Sequence, residues 1–301
     1  MAGNTFGTIF RITTFGESHG SAIGVVIDGC PAGIRIDIND IQRALDRRKP
    51  GAADRKQNPA VTSRSESDKA EILSGVFEGV SEGTPIAILI RNRTQKSEDY
   101  SNLAHTFRPG HADWTYFKKY GVRDWRGGGR SSGRETASRV AAGAVANAVL
   151  QKAGIRVKAY TISAAGISCT ARDMDAVDRT AFRACDEEAA KLMALRVAER
   201  RAKGDSAGGI VECTVSGVPS GLGEPVFDKL DAELAKAVLS IGGVKGIEFG
   251  AGFGAALRTG SENNDAMRVE GGAVTFLSNN AGGILGGMSN GNDIVFRAAI
   301  K

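Results

Sequence analysis

Hydrophobic and polar positions follow the same succession in two parts of the chain: a short apolar run, a glycine/proline turn and an amphipathic stretch. The runs Val25-Val26-Ile27 and Thr214-Val215 are rich in β-branched residues and predict strands that lead into turns. After each turn, apolar side chains recur at helical spacing, which predicts a helix with one buried face. The first helix carries Ile41 and Leu45 on that face and ends at Arg48, and the second carries Leu230, Leu234 and Val238 and ends before Gly242-Gly243.

The two parts are related by a shift of 188 residues, which aligns Gly16-Glu17-Ser18-His19-Gly20 with Gly204-Asp205-Ser206-Ala207-Gly208. Six of the 19 positions from 16 to 34 are identical, and most of these are glycine. A match of this size also arises by chance between glycine-rich loops, so that alternative stays open. A true duplication predicts a single domain of two α+β pseudo-repeats, about residues 1–190 and 191–301, of which the second is incomplete.

Residues 16–20 also match G-x-S-x-G, the nucleophile elbow of hydrolases, with Ser18 as the nucleophile. Such an elbow follows a strand of a parallel sheet and enters a helix directly. Here only about fifteen residues precede Ser18, and residues 21–27 predict a strand. Because the repeat keeps the serine but replaces His19 with Ala207, we interpret the serine as turn architecture and His19 as the candidate for chemistry. A serine hydrolase is kept as an alternative.

Composition narrows the class of ligand. Glycine accounts for 40 of 301 residues, an excess typical of tight turns and of backbone that approaches phosphate-bearing ligands closely. A net charge of +5 with only 6% aromatic residues favours an anionic small molecule over nucleic acid. No apolar run reaches the roughly 20 residues of a membrane span and the N-terminus does not resemble a signal peptide, so no membrane partner is expected. The four cysteines form no C-x-x-C pair, which favours reduced thiols in the cytoplasm and no metal site.

Two histidines lie in glycine-rich loops, where an imidazole with an ordinary pKa of about 6.5 can donate a proton at neutral pH. His19 follows the repeated serine, and His111 follows the turn sequence Phe107-Arg108-Pro109-Gly110. The alternative for either is a structural or surface histidine. The third histidine, His105, has no motif around it and is interpreted as structural.

A glycine loop, Arg126-Gly127-Gly128-Gly129-Arg130-Ser131-Ser132, leads into a predicted helix. Ser132 and Glu135 have the spacing of a capping box, which predicts that the helix begins there. Free N–H groups at a helix N-terminus and flanking guanidinium groups favour an anion, toward which Arg134 and Arg139 are candidates. For Arg139 the alternative is an ion pair with Glu135 one turn away. The helix has small apolar residues at Ala137, Val140, Ala141, Ala144, Val145 and Ala148.

Two further stretches are candidates for ligand contacts. A basic cluster surrounds Pro50-Gly51 and suggests a mobile loop that closes over an anionic substrate, although a solvated face is the ordinary interpretation. Its members are Arg43, Arg47, Arg48, Lys49, Arg55, Lys56 and Arg64. The glycines within residues 278–287 would let a flat ligand approach the backbone, or would only form turns.

These stretches together resemble the chorismate synthase family. Residues 16–20 and 130–145 match the first two signatures of that family, and segments 46–48, 108–113 and 281–287 are also similar. The likeness runs from Thr5 to Lys301. It implies an α+β fold in which a helical layer lies between antiparallel sheets, with duplicated halves, and a homotetramer.

The resemblance also implies an activity. The family converts 5-enolpyruvylshikimate 3-phosphate to chorismate and phosphate by a 1,4-anti elimination that needs reduced FMN without net redox change. His111 would protonate the reduced flavin, and His19 would assist the departing phosphate. The substrate would be bound by Ser18, Arg48, Arg55, Arg134 and Arg139. The FMN would be contacted by Arg130, Ser131, Ser132, Gly242, Gly243, Gly286 and Lys301.

Further expectations concern the flavin supply and the C-terminus. No added reductase domain is visible, so an external flavin reductase is expected, and NADP is also associated with the family. Gly242-Gly243 and Asn280 differ from the residues usual in the family, and its Arg-x-Asp-Pro signature is absent from the 301 residues. We therefore expect either that the native protein continues past Lys301 or that this form is impaired. A flavin- or phosphosugar-binding module without activity is the second alternative to the enzyme.

Overall fold

The computed structural model describes residues 3–49, 67–93 and 103–301, and it combines helices with antiparallel sheets. The predicted α+β class is therefore confirmed. The described residues up to Lys152 pack as one unit, and Ala153–Lys301 pack as another.

The sheet of the first unit is built around alternating apolar residues. Ile23, Val25 and Ile27 lie on one face of a strand and are at most 1% exposed, because alternate side chains of a strand share a face. The strands are β1 (Thr5–Phe6), β2 (Arg11–Gly16), β3 (Ala22–Asp28), β4 (Ala70–Ser74) and β7 (Ile86–Arg91), with a hairpin of β5 (Val76–Phe77) and β6 (Val80–Ser81). They form an antiparallel sheet in the order β1-β2-β3-β7-β4, in which Val25 lies opposite Ile88.

Two helices cover this sheet. Helix α1 (Ile38–Arg48) begins after Asp37, whose carboxylate accepts the N–H of Asn39 at 2.8 Å as an N-cap. The predicted face of α1 is confirmed, since Ile41 and Leu45 are buried, and each contributes about 1.5–3 kcal/mol by its burial. Helix α3 (Thr136–Lys152) packs on α1 and β3 with small residues such as Ala141. The first unit also contains α2 (Asp113–Tyr120) and 3-10 turns at Arg126–Ser131 and Gly133–Glu135.

The second unit has a five-stranded antiparallel sheet of its own. Its strands are β8 (Arg156–Ala164), β9 (Ile167–Ser168), β10 (Gly209–Ser216), β11 (Val244–Phe249) and β16 (Ile294–Ile300), in the order β9-β8-β10-β16-β11. Two hairpins precede β16: β12 (Met267–Glu270) with β13 (Ala273–Phe276), and β14 (Ile284–Leu285) with β15 (Met288–Ser289). The helices are α4 (Ala176–Arg179), α5 (Glu187–Ala202), α6 (Leu230–Leu239) and α7 (Gly260–Asn263), with a 3-10 turn at Gly252–Leu257. The predicted second amphipathic helix is α6, although its apolar face is only half-buried.

The two sheets share one plan. In each, four strands pair in the order first, second, fourth, third along the chain: β2-β3-β7-β4 and β8-β10-β16-β11. In each sheet a helix follows the second strand, and a hairpin of two short strands, each two residues long, precedes the fourth strand. The second compact unit begins at Ala153, and β8, β9, α4 and α5 precede the repeated pentapeptide within it. The duplication itself and its predicted boundaries stay predictions.

A buried serine holds the turn after the second strand in both units. Ser81 Oγ donates to the carbonyl of Pro31 at 2.6 Å and accepts the N–H of Ile34 at 2.9 Å. Ser289 Oγ makes the same two bonds to Pro219 and Leu222, at 2.6 and 2.9 Å. These partners coincide with the sequence repeat, so the glycine/proline turns serve the same structural purpose in both units.

Among the described residues, no helix is long and apolar enough to cross a membrane. Within the same residues, no cluster of three or more His, Cys, Asp or Glu side chains is arranged to hold a metal ion. All four cysteines are free.

Replacing Ser81 with alanine is expected to lower the free energy of unfolding by about 1–3 kcal/mol, because it leaves the buried N–H of Ile34 and the part-buried carbonyl of Pro31 without their partner. Urea unfolding followed by circular dichroism measures the change. Ser168→Ala is the matched control: Ser168 is an exposed serine in β9, and its loss should change stability by less than about 0.5 kcal/mol. Equal stability of the two variants would contradict the structural role of Ser81.

Candidate active site

The turn between β2 and β3 carries Ser18 and His19, which are 2% and 5% exposed. The glycine loop of residues 126–131 lies against this turn, and the N–H of Ser18 donates to the carbonyl of Gly129 at 3.2 Å. A Cβ on Gly127 would lie 2.3 Å from Cδ2 and 2.4 Å from Nε2 of His19. Only glycine therefore lets the loop approach the His19 ring this closely.

The next glycine of the loop contacts the second predicted catalytic histidine. A Cβ on Gly128 would lie 3.0 Å from Cε1 and 3.1 Å from Nε2 of His111. Gly127 and Gly128 both have positive φ, 58° and 85°, a region that favours glycine. The structure thus brings His19 and His111 against adjacent residues of one loop, although they are 92 positions apart in the sequence.

Ser18 does not have the surroundings of a hydrolase nucleophile. Its buried Oγ has no hydrogen-bond partner among the described residues, whereas an activated serine needs a hydrogen-bonded base. The chain then enters β3 of an antiparallel sheet instead of a helix. Both observations argue against the serine-hydrolase alternative.

Arg48 and Arg134, two predicted substrate ligands, share one buried carboxylate. Asp68 lies 2.7 Å from Arg134 Nη1 and 3.0 Å from Arg48 Nη1, and its side chain is 0% exposed. Burial is the main cause that lowers the pKa of Arg48; the neighbouring Arg134 adds to it, and Asp68 opposes it. Two guanidinium groups therefore face a single carboxylate, which leaves an excess of positive charge in a desolvated position.

Asn92 joins this arginine pair to the histidine turn. Its side-chain oxygen accepts Arg134 Nε at 2.5 Å, and its Nδ2 donates to the carbonyls of Glu17 and Gly20 at 3.0 and 2.8 Å. These two carbonyls flank Ser18 and His19. Arg134 Nη2 is buried and has no hydrogen-bond partner among the described residues, so one donor stays available for an anionic ligand.

Arg139 forms an ion pair with Glu135, which the sequence analysis gave as the alternative to a contact with an anionic ligand. Its Nε lies 3.0 and 2.9 Å from the two carboxylate oxygens of Glu135. Glu135 also accepts the hydroxyl of Thr14 at 3.1 Å, so its side chain does not reach back to Ser132. The predicted capping box forms only in part: Ser132 is the N-cap, because its Oγ accepts the N–H of Arg134 at 3.3 Å, but the Glu135 half is absent and the segment starts as a 3-10 turn, after which α3 begins at Thr136.

Two of the predicted flavin contacts of the first unit, Arg130 and Ser131, border a cavity of about 650 Å³, and the third, Ser132, does not line it. Arg130 donates to the carbonyl of Thr14 at 2.9 Å, and its buried Nη1 has no partner among the described residues. Ser131 Oγ donates to the carbonyl of Gly128 at 2.7 Å. The rings of Tyr116 and Tyr120 also line the cavity. A cationic nitrogen without a partner, aromatic walls and this volume fit a flat anionic ligand of flavin size.

The predicted flavin contacts of the second unit are only partly brought together. The N–H of Lys301 donates to the carbonyl of Gly243 at 2.9 Å, next to Gly242. Lys301 Nζ lies 3.1 Å from the hydroxyl of Ser206, the serine of the second pentapeptide. Gly286 lies in the turn between β14 and β15. Arg55 lies outside the described residues.

Three polar residues of the site were not predicted. Asp68 and Asn92 have no motif around them, and their roles follow only from contacts with distant residues. Asp113 lies two residues after His111 in a segment that was singled out, and its side chain contacts the His111 ring. The closeness of Asp113 to His111 in the sequence was the signal from which this contact could have been predicted.

Comparison with known proteins identifies the family. The family model described as chorismate synthase matches residues 10–301. The chain is 58% identical over 301 residues to chorismate synthase from Syntrophobacter fumaroxidans and 56% identical over 305 residues to that from Methanosarcina mazei, and it spans 83% and 82% of these relatives. A solved structure described as a crystal structure of chorismate synthase matches 98% of this chain and 85% of its own, with a TM-score of 0.81 and 32% identity. The chain therefore belongs to the chorismate synthase family, and it is a lyase that forms chorismate.

Proposed function

We propose that the chain eliminates phosphate from 5-enolpyruvylshikimate 3-phosphate in a 1,4-anti reaction at the site formed by His19, His111 and the Arg48–Arg134 pair. The observation that carries the proposal is the Asn92 side chain, which hydrogen-bonds Arg134 and the carbonyls on both sides of Ser18 and His19. A cationic group for an anionic substrate and a proton donor for its leaving group are thereby held in one rigid arrangement.

The leaving group sets the demand on these residues. The reaction breaks an allylic C–O bond to phosphate, removes one ring proton and forms a second ring double bond, and negative charge grows on the phosphate as it departs. Arg48 and Arg134 stabilise that charge, because buried guanidinium groups bind phosphate strongly where water does not screen them. His19 donates a proton or a hydrogen bond to the departing phosphate. The further proposed substrate contacts are Arg139 and Ser18, whose buried hydroxyl has no hydrogen-bond partner in the part of the chain that the structure describes.

Reduced FMN is the proposed cofactor, and Arg130, Ser131 and Ser132 would hold it in the first unit. For Gly242, Gly243, Gly286 and Lys301 of the second unit, a flavin contact stays a prediction from the family resemblance. When bound, the flavin supplies electron density transiently and takes it back, so that no net oxidation occurs. The support is Nη1 of Arg130, which has no partner among the described residues, and the cavity beside it that Tyr116 and Tyr120 line. His111 would donate a proton to the reduced flavin.

We infer the cellular setting from the family resemblance alone. A homotetramer in the cytoplasm, an external flavin reductase and a link to NADP are the proposed context.

The activity is tested by mixing the protein with 5-enolpyruvylshikimate 3-phosphate and reduced FMN under anaerobic conditions. One phosphate is expected to be released for each chorismate formed, and none with oxidised FMN. Flavin binding is measured in parallel by fluorescence quenching. Bound flavin without phosphate release would favour the inactive binding module over the enzyme.

His19→Ala is expected to lower kcat by roughly 100- to 10,000-fold, the usual contribution of one general acid. Gly127→Ala should reproduce much of this loss with His19 intact, because its Cβ would occupy the position of the His19 ring. Phosphate release measures both effects.

Two controls separate this loss from general damage. His105→Ala removes an exposed histidine, and Gly154→Ala introduces a similar backbone strain (φ 78°) where a Cβ meets nothing within 4 Å. Both should keep wild-type kcat. Wild-type turnover in the Gly127→Ala variant would show that the loop does not set the position of His19.

Asp68→Asn is expected to destabilise the fold by about 3–5 kcal/mol, because the buried guanidinium group of Arg134 and the half-buried one of Arg48 lose their shared countercharge. Inorganic phosphate should raise the melting temperature of this variant by more than it raises that of the wild type, since a bound anion replaces the missing charge. Melting with and without phosphate measures this difference. Asp186→Asn, which removes a buried N-cap carboxylate of α5, should destabilise without the additional recovery. Equal recovery in both variants would contradict an anion site at the arginine pair.

A further inference from the structure

We propose that Asp113 is a positioning residue for His111: its carboxylate holds the imidazole with a proton on Nδ1 and leaves Nε2 for proton transfer on the Gly128 side. The inference rests on the catalytic role proposed for His111.

The two nitrogens of the His111 ring have different surroundings. Nδ1 lies 3.1 Å from Oδ1 of Asp113, whose side chain is 2% exposed. Nε2 lies at the other edge of the ring, facing the glycine loop, 3.1 Å from the point that a Cβ on Gly128 would occupy. One nitrogen is therefore committed to a buried carboxylate, and the other faces the loop that also contacts His19.

A second polar group near Nδ1 has to be weighed against Asp113. Arg108 Nη2 lies 3.2 Å from Nδ1, but it also donates to Asp113 Oδ1 at 3.0 Å, the shorter of the two contacts. If Nδ1 accepted a hydrogen from Arg108, its lone pair would face the oxygen lone pairs of Asp113 at 3.1 Å, which is repulsive. A proton on Nδ1 turns the same contact into a charge-assisted hydrogen bond. The geometry therefore favours the Nδ1–H form of the neutral ring.

Asp113 is held in a fixed position and kept ionised. Arg108 binds it through Nε at 2.8 Å and through its backbone N–H at 3.2 Å, and Arg123 Nη1 lies 3.3 Å from Oδ1. The hydrogen bond from Arg108 is the largest of the causes that hold the pKa of Asp113 well below its usual range. Asp113 therefore orients the imidazole and stabilises its charged form without accepting the proton itself, a division of roles known from hydrogen-bonded Asp–His pairs.

Asp113→Asn tests the proposal because the direction of its effect is defined. Oδ2 accepts two bonds from Arg108, at 2.8 and 3.2 Å, and Oδ1 accepts one from Arg108 Nη2 at 3.0 Å, so the amide oxygen of asparagine keeps more of the Arg108 bonds at the Oδ2 position. The amide NH₂ then takes the Oδ1 position, where the bond from Arg108 Nη2 is lost and the amide donates to Nδ1 of His111, which forces the neutral ring into the Nε2–H form. We expect kcat to fall by about 100-fold or more, with KM within about threefold, since such a tautomer change disables a proton-transferring histidine without removing substrate contacts.

The spectroscopic readout is ¹⁵N NMR of histidine-labelled protein, with the three imidazoles assigned by His→Gln variants. Wild-type His111 should be Nδ1–H when neutral, and Asp113→Asn should convert it to Nε2–H. Asp186→Asn is the control: it removes another buried carboxylate, from the second unit, and should change neither kcat nor the His111 spectrum.

Three results would overturn the proposal: a neutral wild-type His111 in the Nε2–H form, a fall in kcat without a tautomer change, or unchanged kcat after the tautomer changes. The first needs no variant and holds even if Asp113→Asn fails to fold. If the wild type bound flavin but formed no chorismate, the proposed function would fail, while the spectrum would still report whether Asp113 sets the tautomer.

Discussion

The candidate site depends on a close approach of backbone to two imidazole rings. Gly127 and Gly128 occupy positions where a Cβ would lie 2.3 and 3.0 Å from the nearest atoms of His19 and His111. Since contacts below about 3.4 Å between carbon atoms are repulsive, any side chain here would displace a ring. The loop therefore fixes the two histidines by excluded volume, and the unusual backbone that this requires is available only to glycine.

The second constraint is electrostatic. Arg134 is almost fully buried, and a buried cation is tolerated only with a countercharge and with its donors satisfied. Asn92 accepts from Nε of Arg134 and Asp68 from Nη1, and Nη2 has no hydrogen-bond partner among the described residues. Adding a second carboxylate would stabilise the fold and would also neutralise the site. The incomplete pairing is what makes the cluster suited to an anionic ligand, at a cost in stability that the rest of the unit has to offset.

The sequence predicted the local features of the site and missed those that depend on distant contacts. His19 and His111 are found because each lies in a short motif, and α1 because Ile41 and Leu45 recur at helical spacing. Asp68 contacts Arg134 across 66 positions, and no pattern in its own segment signals that contact. The capping box at Ser132 forms only in part for the same reason, since Glu135 binds Thr14 across 121 positions and a local rule does not see that competitor.

The two pentapeptides show how a shared frame can carry different contacts. Ser18 and Ser206 lie in the same pattern of glycines, and the second strand of each sheet, β3 or β10, begins after the turn. In the second copy the serine hydroxyl contacts Lys301, whereas in the first it has no partner among the described residues, and the glycine loop lies beside it. The frame of glycines and serine is therefore compatible with either surrounding. What makes the first copy a candidate for catalysis is His19 where the second has Ala207, together with the loop that approaches it.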